Sequence, residues 1–311
     1  MFILTGGAGF IGSNFLETLN SKGVDDILIV DNLNSLKEKN LENCKYTDYI
    51  HKNEFLSKLK SLPKLKGIIH MGACSSTTAT DHDYMMSNNL EYTKELASFC
   101  INKDIRFIYA SSAATYGNGD LGFSDYEFDK LKPLNLYAES KHLFDKWAIE
   151  KNAIQSIVGL KFFNVFGPKE FHKGNMRSVV LKSFEQIKEN GSMSLFKSGH
   201  SDYKDGEQKR DFIYVKDCCD VMWWLLENKQ VNGIYNLGTG KARTWKDLVK
   251  AVFSSLSLEE NINFIEMPKN LKEKYQYFTQ AKMSKLRESG YEIEFTDLET
   301  SIKDYINLIN N

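Results

Sequence analysis

Eight residues, Thr5-Gly6-Gly7-Ala8-Gly9-Phe10-Ile11-Gly12, leave this chain few folds to choose from. They follow the apolar run Phe2-Ile3-Leu4 and open a stretch whose apolar residues Ile11, Phe15, Leu16 and Leu19 recur at helical spacing, so the segment reads as strand, glycine turn and helix. A helix N-terminus carries unpaired backbone N–H groups and the positive end of the helix dipole, which together favour an anion such as a diphosphate. Glycines at 6, 9 and 12 keep side chains out of its approach. A tight turn without a ligand could use the same octapeptide, and the wider context separates the two readings. A second apolar run, Ile27-Leu28-Ile29-Val30, ends in Asp31 about 20 residues further on, where a carboxylate can accept hydrogen bonds from an adenosine ribose. The first third of the chain is therefore expected to bind a dinucleotide.

At 311 residues the chain has room for one large α/β unit with a satellite lobe. Its formal net charge of −1, from 40 basic and 41 acidic residues, offers no basic excess to a nucleic-acid partner. No apolar run approaches the ~20 residues of a membrane span, and four residues before the glycines are too few for an export signal. A soluble protein is expected. The cysteines Cys44, Cys74, Cys100, Cys218 and Cys219 are odd in number and none is spaced C-x-x-C, which argues against a disulfide framework or a zinc site and fits a reducing cytoplasm. No metal is expected. His70, inside the run Ile68-Ile69-His70-Met71, reads as a satisfied core residue rather than a ligand.

Strand-like and helix-like segments then alternate as a doubly wound parallel sheet of the Rossmann type requires. Lys66 to Met71 reads as a buried strand running into Gly72-Ala73-Cys74-Ser75, small residues that let a cofactor pass close to backbone. Tyr84 to Cys100 has a helical pattern, and Phe107-Ile108-Tyr109-Ala110 is a strand ending in the hydroxyl-rich Ser111-Ser112-Ala113-Ala114-Thr115-Tyr116-Gly117. After a loop from Gly117 to Pro133, Tyr137 to Glu150 reads as a helix with Tyr137 and Lys141 on one face. An ammonium beside a phenol favours the phenolate, and the pair is expected to lower the phenol below its ordinary ~10. That would make Tyr137 a general base near neutral pH. Ile157 to Phe163 is a further strand. Beyond it come a helix from Ser178 to Glu189, strands at Ser194 to Phe196, at Arg210 to Val215 and at Ile234 to Leu237, and helices at Asp217 to Glu227, Thr244 to Ser255 and Asp297 to Ile309. The expected division is a cofactor domain over 1–170, joined by segments from about 211–243, and a smaller α/β substrate lobe over 171–311.

The pattern T-G-x-x-G-x-x-G, the Ser112 cluster and Tyr137-x-x-x-Lys141 resemble the extended short-chain dehydrogenase/reductase superfamily. Further segments narrow the likeness: Gly72-Ala73-Cys74-Ser75-Ser76-Thr77-Thr78, Tyr84-Met85-Met86, Phe163-Asn164-Val165-Phe166-Gly167-Pro168, His172-Lys173-Gly174, Arg210-Asp211-Phe212 and Tyr275-Gln276-Tyr277-Phe278-Thr279-Gln280-Ala281. Together they are similar to the family of ADP-L-glycero-D-manno-heptose 6-epimerases, over nearly the whole chain. The resemblance implies an NADP-dependent homopentamer acting on a nucleotide sugar for the inner core of bacterial lipopolysaccharide. It implies oxidation at C6 of the heptose, rotation of the transient ketone and reduction from its other face, with a proton-transferring group for each orientation.

Carried over residue by residue, Tyr137 and Lys173 are those two groups. Ser112 would hydrogen-bond the reacting oxygen, and Lys141 would position the nicotinamide ribose. The resemblance assigns the cofactor to Gly6, Gly9, Phe10, Ile11, Gly12, Asp31, Asn32, Lys37, Lys52, Met71, Gly72, Ala73, Cys74, Ser75, Asn88, Lys141, Val165 and Lys173. It assigns the substrate to Ser112, Asn164, Asn175, Lys182, Phe196, Arg210 and Tyr275, with the planar fork of Arg210 suited to a diphosphate. By itself Asp31 favours the free ribose of NAD. The family retains this aspartate and places the phosphate of NADP near Asn32, Lys37 and Lys52. Three positions depart from the family pattern: Lys161 stands for Arg, Asn175 for Ser and Lys182 for His. A nucleotide-sugar 4-epimerase would share Ser112, Tyr137 and Lys141 without needing Lys173, and a non-catalytic NADP-binding module would need none of the four. A 4,6-dehydratase would carry Asp-Glu where this chain has Ala113-Ala114.

Overall fold

The protein is described here from a computed structural model, which defines residues 1–268 and 275–310. Seven parallel strands form the central sheet: β1 (Phe2–Thr5), β2 (Ile27–Asp31), β3 (Asp48–His51), β4 (Gly67–His70), β5 (Arg106–Ser112), β6 (Ile157–Phe162) and, from far along the chain, β10 (Gly233–Leu237). Their order is β10-β6-β5-β4-β1-β2-β3, and every pairing is parallel. The central strands are covered on both faces and so read as unbroken apolar runs. The edge strand β3, of sequence Asp-Tyr-Ile-His, is only partly covered and has no such run.

The order reverses between β1 and β4. Ligands of open α/β sheets bind outside the carboxyl ends of the strands at such a switch point. Here the two strand ends nearly touch: a Cβ placed on Gly6 would lie 2.6 Å from the Gly72 backbone nitrogen, and Gly6 has φ +66°. Glycine is required there on both counts. The following helix, Phe10–Ser21, buries Phe15, Leu16 and Leu19 against the sheet, and the Val215–Glu227 helix packs along it.

Past β6 the chain builds two small sheets. β7 (Asn164–Phe166) runs parallel to β9 (Lys209–Tyr214), which pairs antiparallel with β11 (Ala242–Thr244). β8 (Met193–Phe196) pairs with β12 (Ile262–Ile265). The helices Trp245–Ser255 and Leu298–Asn310 pack on each other and enclose this side. No helix among the described residues is long and apolar enough to cross a membrane.

The helical pattern from Tyr84 to Cys100 corresponds to an α-turn over His82–Met85, a π-helical segment over Met86–Glu91 and an α-helix over Tyr92–Asn102. A π segment widens the turn and shifts the side chains after it, a device frequent at functional sites.

Candidate active site

A cavity of about 760 Å³ opens above the switch point, within the range of small-molecule sites. Gly6, Gly9, Phe10, Ile11 and Gly12 line it from the first turn, with Asp31 and Lys37 beside them. Met71 to Thr77 follow from the end of β4, and Ala110 to Ala114, Tyr137 and Lys141 from β5 and the next helix. Asn164, Val165, His172 and Lys173 complete it together with Phe212, Trp245, Gln276 and Thr279. A smaller cavity of about 130 Å³ shares Gly6, Asp31, Lys37, Gly72, Ala73 and Cys74 and adds Asn32, Lys52, Tyr84 and Asn88.

The three spaced glycines have distinct duties. A Cβ on Gly12 would meet the Gly6 carbonyl oxygen at 2.1 Å, so helix and turn pack there at backbone contact. A Cβ on Gly9 would find only the Gly6 carbonyl, at 3.0 Å, within 4 Å, and beyond that the cavity. Tight turn, open cradle and close helix packing in that order are what a dinucleotide diphosphate needs, and the residues present fit one.

Asp31 is buried and engaged within the protein. Ala8 N–H donates to Oδ2 at 2.9 Å, Asn32 N–H to Oδ1 at 2.7 Å, and Lys37 Nζ sits 2.6 Å from Oδ1. The carboxylate thus ties β2 to the glycine turn, and its charge is matched by Lys37. Lys52 Nζ donates to Asn88 Oδ1 at 2.6 Å and to the Tyr84 hydroxyl at 3.1 Å.

Asn89, which the sequence pattern does not single out, clamps the loop after β4. Cys74 N–H donates to its Oδ1 at 2.8 Å, while its Nδ2 donates to Cys74 O at 2.9 Å and lies 3.1 Å from Ser140 Oγ. Met86–Glu91 thus brings Asn88 and Asn89, adjacent in sequence, to two different partners. His70 is buried and satisfied, as expected: Nδ1 pairs with Thr5 Oγ1 at 2.6 Å and Nε2 with Thr93 Oγ1 at 2.9 Å. Its pKa is pushed down to about 3 by burial, with the Lys141 ammonium adding to the fall.

Tyr137 and Lys141 stand on the Leu136–Glu150 helix, which Asn135 caps by accepting from Ala138 N–H at 2.9 Å. Ser112 ends β5 and accepts from Ala114 N–H at 3.1 Å. One turn beyond Lys141 lies Asp145, fully buried and paired at 2.6 Å with the equally buried Lys161 of β6. Tyr109 and Ser111 donate to Asp145 at 2.9 and 2.7 Å, and Lys161 also donates to Thr115 at 2.7 Å. The helix is therefore fastened to β5 and β6 directly below the cavity floor.

One expectation is corrected. The Tyr137 phenol is raised, not lowered: burial disfavours the phenolate, and the Ser112 hydroxyl offsets only part of that. Lys141 is itself desolvated: burial pushes its pKa down to about 8, opposed by Asp145. Spacing brought the pair to one face but carried no information about their desolvation.

Lys173 lies in the 3-10 segment Phe171–Met176, its ammonium 4.7 Å from the Phe10 ring centroid and 3.9 Å from Glu170 Oε2. Burial lowers its pKa, Glu170 opposes the fall and Lys182 adds to it. Asn40 Nδ2 donates to Ala8 O at 3.0 Å and Lys169 O at 3.2 Å, joining this segment to the glycine turn.

Of the expected substrate residues, Ser112 and Asn164 line the large cavity, whereas Asn175, Lys182, Phe196, Arg210 and Tyr275 are not among its lining residues. Lys182 Nζ donates to Asn175 O at 2.7 Å. Phe196 lies on β8, paired with β12. Arg210 is buried, donates to Lys209 O at 2.8 Å and to Gln276 O, and stacks 5.3 Å from the Tyr275 ring centroid and 5.6 Å from that of Trp245, a cavity residue. The adjacent Asp211 is no partner of this arginine: it accepts from Thr239, Gly240 and Ala281 and holds two loops together.

The chain matches the family model described as the NAD dependent epimerase/dehydratase family over residues 2–238. Relatives named ADP-L-glycero-D-manno-heptose-6-epimerase from Nitratidesulfovibrio vulgaris (strain DP4) and Fusobacterium nucleatum subsp. nucleatum are 54% and 50% identical to it over 312 and 321 aligned residues, covering 98% of this chain and 97% of each relative. The crystal structure of the Helicobacter pylori protein of that name superposes with a TM-score of 0.85 at 29% identity, over 99% of this chain and 96% of that one. Fold, glycine cradle and full-length likeness converge: this chain belongs to the nicotinamide-dependent epimerase/dehydratase family and, within it, to the ADP-L-glycero-D-manno-heptose-6-epimerases, which are isomerases.

Proposed function

We propose that the chain inverts C6 of ADP-D-glycero-D-manno-heptose to give the L-glycero epimer, using tightly held NADP, for the inner core of lipopolysaccharide. The observation that carries this reading is that two protonatable groups on different elements, Tyr137 and Lys173, line one cavity with Ser112 and the glycine turn. The C6 proton is too weakly acidic for any side chain to remove. A nicotinamide held by the glycine turn would supply reversible hydride chemistry at C6, so that inversion needs no removal of the C–H proton by a side chain. Tyr137 takes the hydroxyl proton in one orientation of the sugar, and Ser112 hydrogen-bonds the reacting oxygen. After rotation the oxygen points elsewhere, and Lys173 exchanges the proton there. Lys141, which lines the same cavity, would hold the nicotinamide ribose.

NADP is preferred to NAD because Lys37 neutralises Asp31 at 2.6 Å, and Lys52 and Asn32 line the adjoining small cavity. The glycine turn, Met71 to Ser75, Asn88 and Val165 would hold the rest of the cofactor, which makes residues 1–170, with segments from about 211–243, the cofactor domain on this reading and 171–311 mainly the substrate lobe. Arg210, with Tyr275, would grip the substrate diphosphate. A homopentamer in the cytoplasm belongs to the same proposal.

Two measurements test it. The supernatant of the denatured protein should contain NADP or NADPH, and incubation with the D-glycero substrate should give inversion at C6 by NMR. NAD alone in the supernatant would remove the cofactor assignment. Absence of C6 inversion in a cofactor-loaded, folded protein would remove the reaction.

A further inference from the structure

Glu170 heads the segment that carries Lys173, and its side chain has no solvent exposure. Its carboxylate accepts from the Ser178 backbone N–H and hydroxyl, each at 2.5 Å, and from the Tyr305 hydroxyl at 3.1 Å, while Oε2 lies 3.9 Å from Lys173 Nζ. A buried carboxylate persists where donors and an opposite charge compensate its lost hydration. Three neutral donors supply part of this, and Lys173 is the cation in ion-pair range among the described residues.

The groups around Lys173 are few. Glu170 and His172 face it from its own segment, Lys182 from the Val179–Asn190 helix and the uncharged Phe10 ring from the first helix. Tyr305, from the C-terminal helix, touches Glu170. Arg177 and Glu185 pair with each other at 2.5 Å and act on Lys182. Glu170 is thus the anion, and Lys182 the competing cation, that set the charge of Lys173.

We propose that Glu170 is a positioning residue, which fixes the Lys173 ammonium in the cavity wall and sets the pH range over which that lysine exchanges a proton. The proposal rests on reading Lys173 as the second acid/base group. Without Glu170, burial and Lys182 would both favour the neutral amine, leaving no proton to return to a ketone oxygen. With Glu170 at 3.9 Å rather than in direct hydrogen-bond contact, the lysine is held without being locked in its charged form.

The test separates the proposal from the reading beneath it. In holoenzyme labelled with 13Cε-lysine, the Lys173 resonance, identified by its loss in Lys173→Met, is followed against pH. Glu170→Gln keeps the size and removes the charge, so the Lys173 pKa should fall by about one unit or more. Tyr305→Phe, which removes a donor and no charge, should change it much less, and Glu170→Asp should give an intermediate fall even if Glu170→Gln does not fold. In single-turnover oxidation, the acidic limb for the epimer served by Lys173 should move to lower pH in Glu170→Gln, while the limb for the epimer served by Tyr137 stays in place. An unchanged Lys173 titration in both Glu170 variants overturns the proposal. A lowered titration with both pH profiles unmoved upholds the control by Glu170 and overturns the second-base reading instead.

Discussion

Tyr137 stands on a 15-residue helix fastened to the sheet by the dry Asp145–Lys161 pair, whereas Lys173 stands on a six-residue 3-10 segment that is kinked within by the next residue, Gly174, at φ +53°. The first group is placed by the core of the protein. The second is placed by one buried carboxylate, and its reach comes from a four-carbon side chain. The difference fits the two chemical demands of the roles proposed for them. A phenol on a short rigid side chain must have its backbone held accurately to meet a hydroxyl. A lysine that meets the oxygen after the sugar has turned can adjust through its own rotamers.

Kinetics offer the sharpest way to break this contrast. Tyr137→Phe and Lys173→Met should each lose epimerisation by two to four orders of magnitude, roughly the worth of a proton-transferring group. In single turnover from the oxidised cofactor, followed by nicotinamide absorbance, the two variants should show opposite epimer preferences. If Tyr137→Phe stops oxidation of both epimers and Lys173→Met keeps full turnover, there is one base and the comparison collapses.

Stability should separate the regions next. Lys161→Met leaves Asp145 buried and unpaired, and should lower unfolding free energy by about 3–5 kcal/mol in denaturant titration. Lys173→Met also strips a cation from the buried Glu170, but from 3.9 Å rather than 2.6 Å and with three neutral donors left in place, so its loss should be smaller, about 1–2 kcal/mol. Similar losses for both would mean that the lysine segment is as much a part of the core as the helix.

The smallest expected effect concerns Lys141. Its pKa is about 8 in the folded protein against about 10.4 unfolded, so the unfolded chain binds more protons between those values and stability rises with pH across that window. Below it the buried ammonium is a full burden. Lys141→Met should therefore stabilise the protein by up to about 3 kcal/mol near pH 7 while abolishing activity, and the slope of stability against pH from 8 to 10 should flatten. A variant destabilised at pH 7 would show that Asp145 outweighs the desolvation of Lys141.

The strand, glycine turn and helix at the start of the chain, the order of alternating elements and the Tyr137–Lys141 face were legible because each rests on local periodicity or on a residue type with one steric use. β3 was not legible, since Asp-Tyr-Ile-His at a sheet edge alternates too little to stand out. Asn89 escaped because the π segment over Met86–Glu91 breaks the helical period that would have placed it. Glu170 looked like any charged loop residue, and its burial arises from Ser178 and Tyr305, the latter 135 positions away. The direction of the Tyr137 pKa failed for the same reason: desolvation is a property of the assembled cavity.

The pairing of β10 with β6 bears on how the protein is made. Strand Gly233–Leu237 completes the sheet only after three quarters of the chain exists, and Arg106, on β5, donates to the Leu225 and Val231 carbonyls just before it. Until then β6 is an open edge with apolar faces, a template for wrong partners. A chain still on the ribosome at residue 170 has every cofactor-turn residue and no finished sheet. Its native state is thus reached late in synthesis, through contacts of long sequence separation that close slowly.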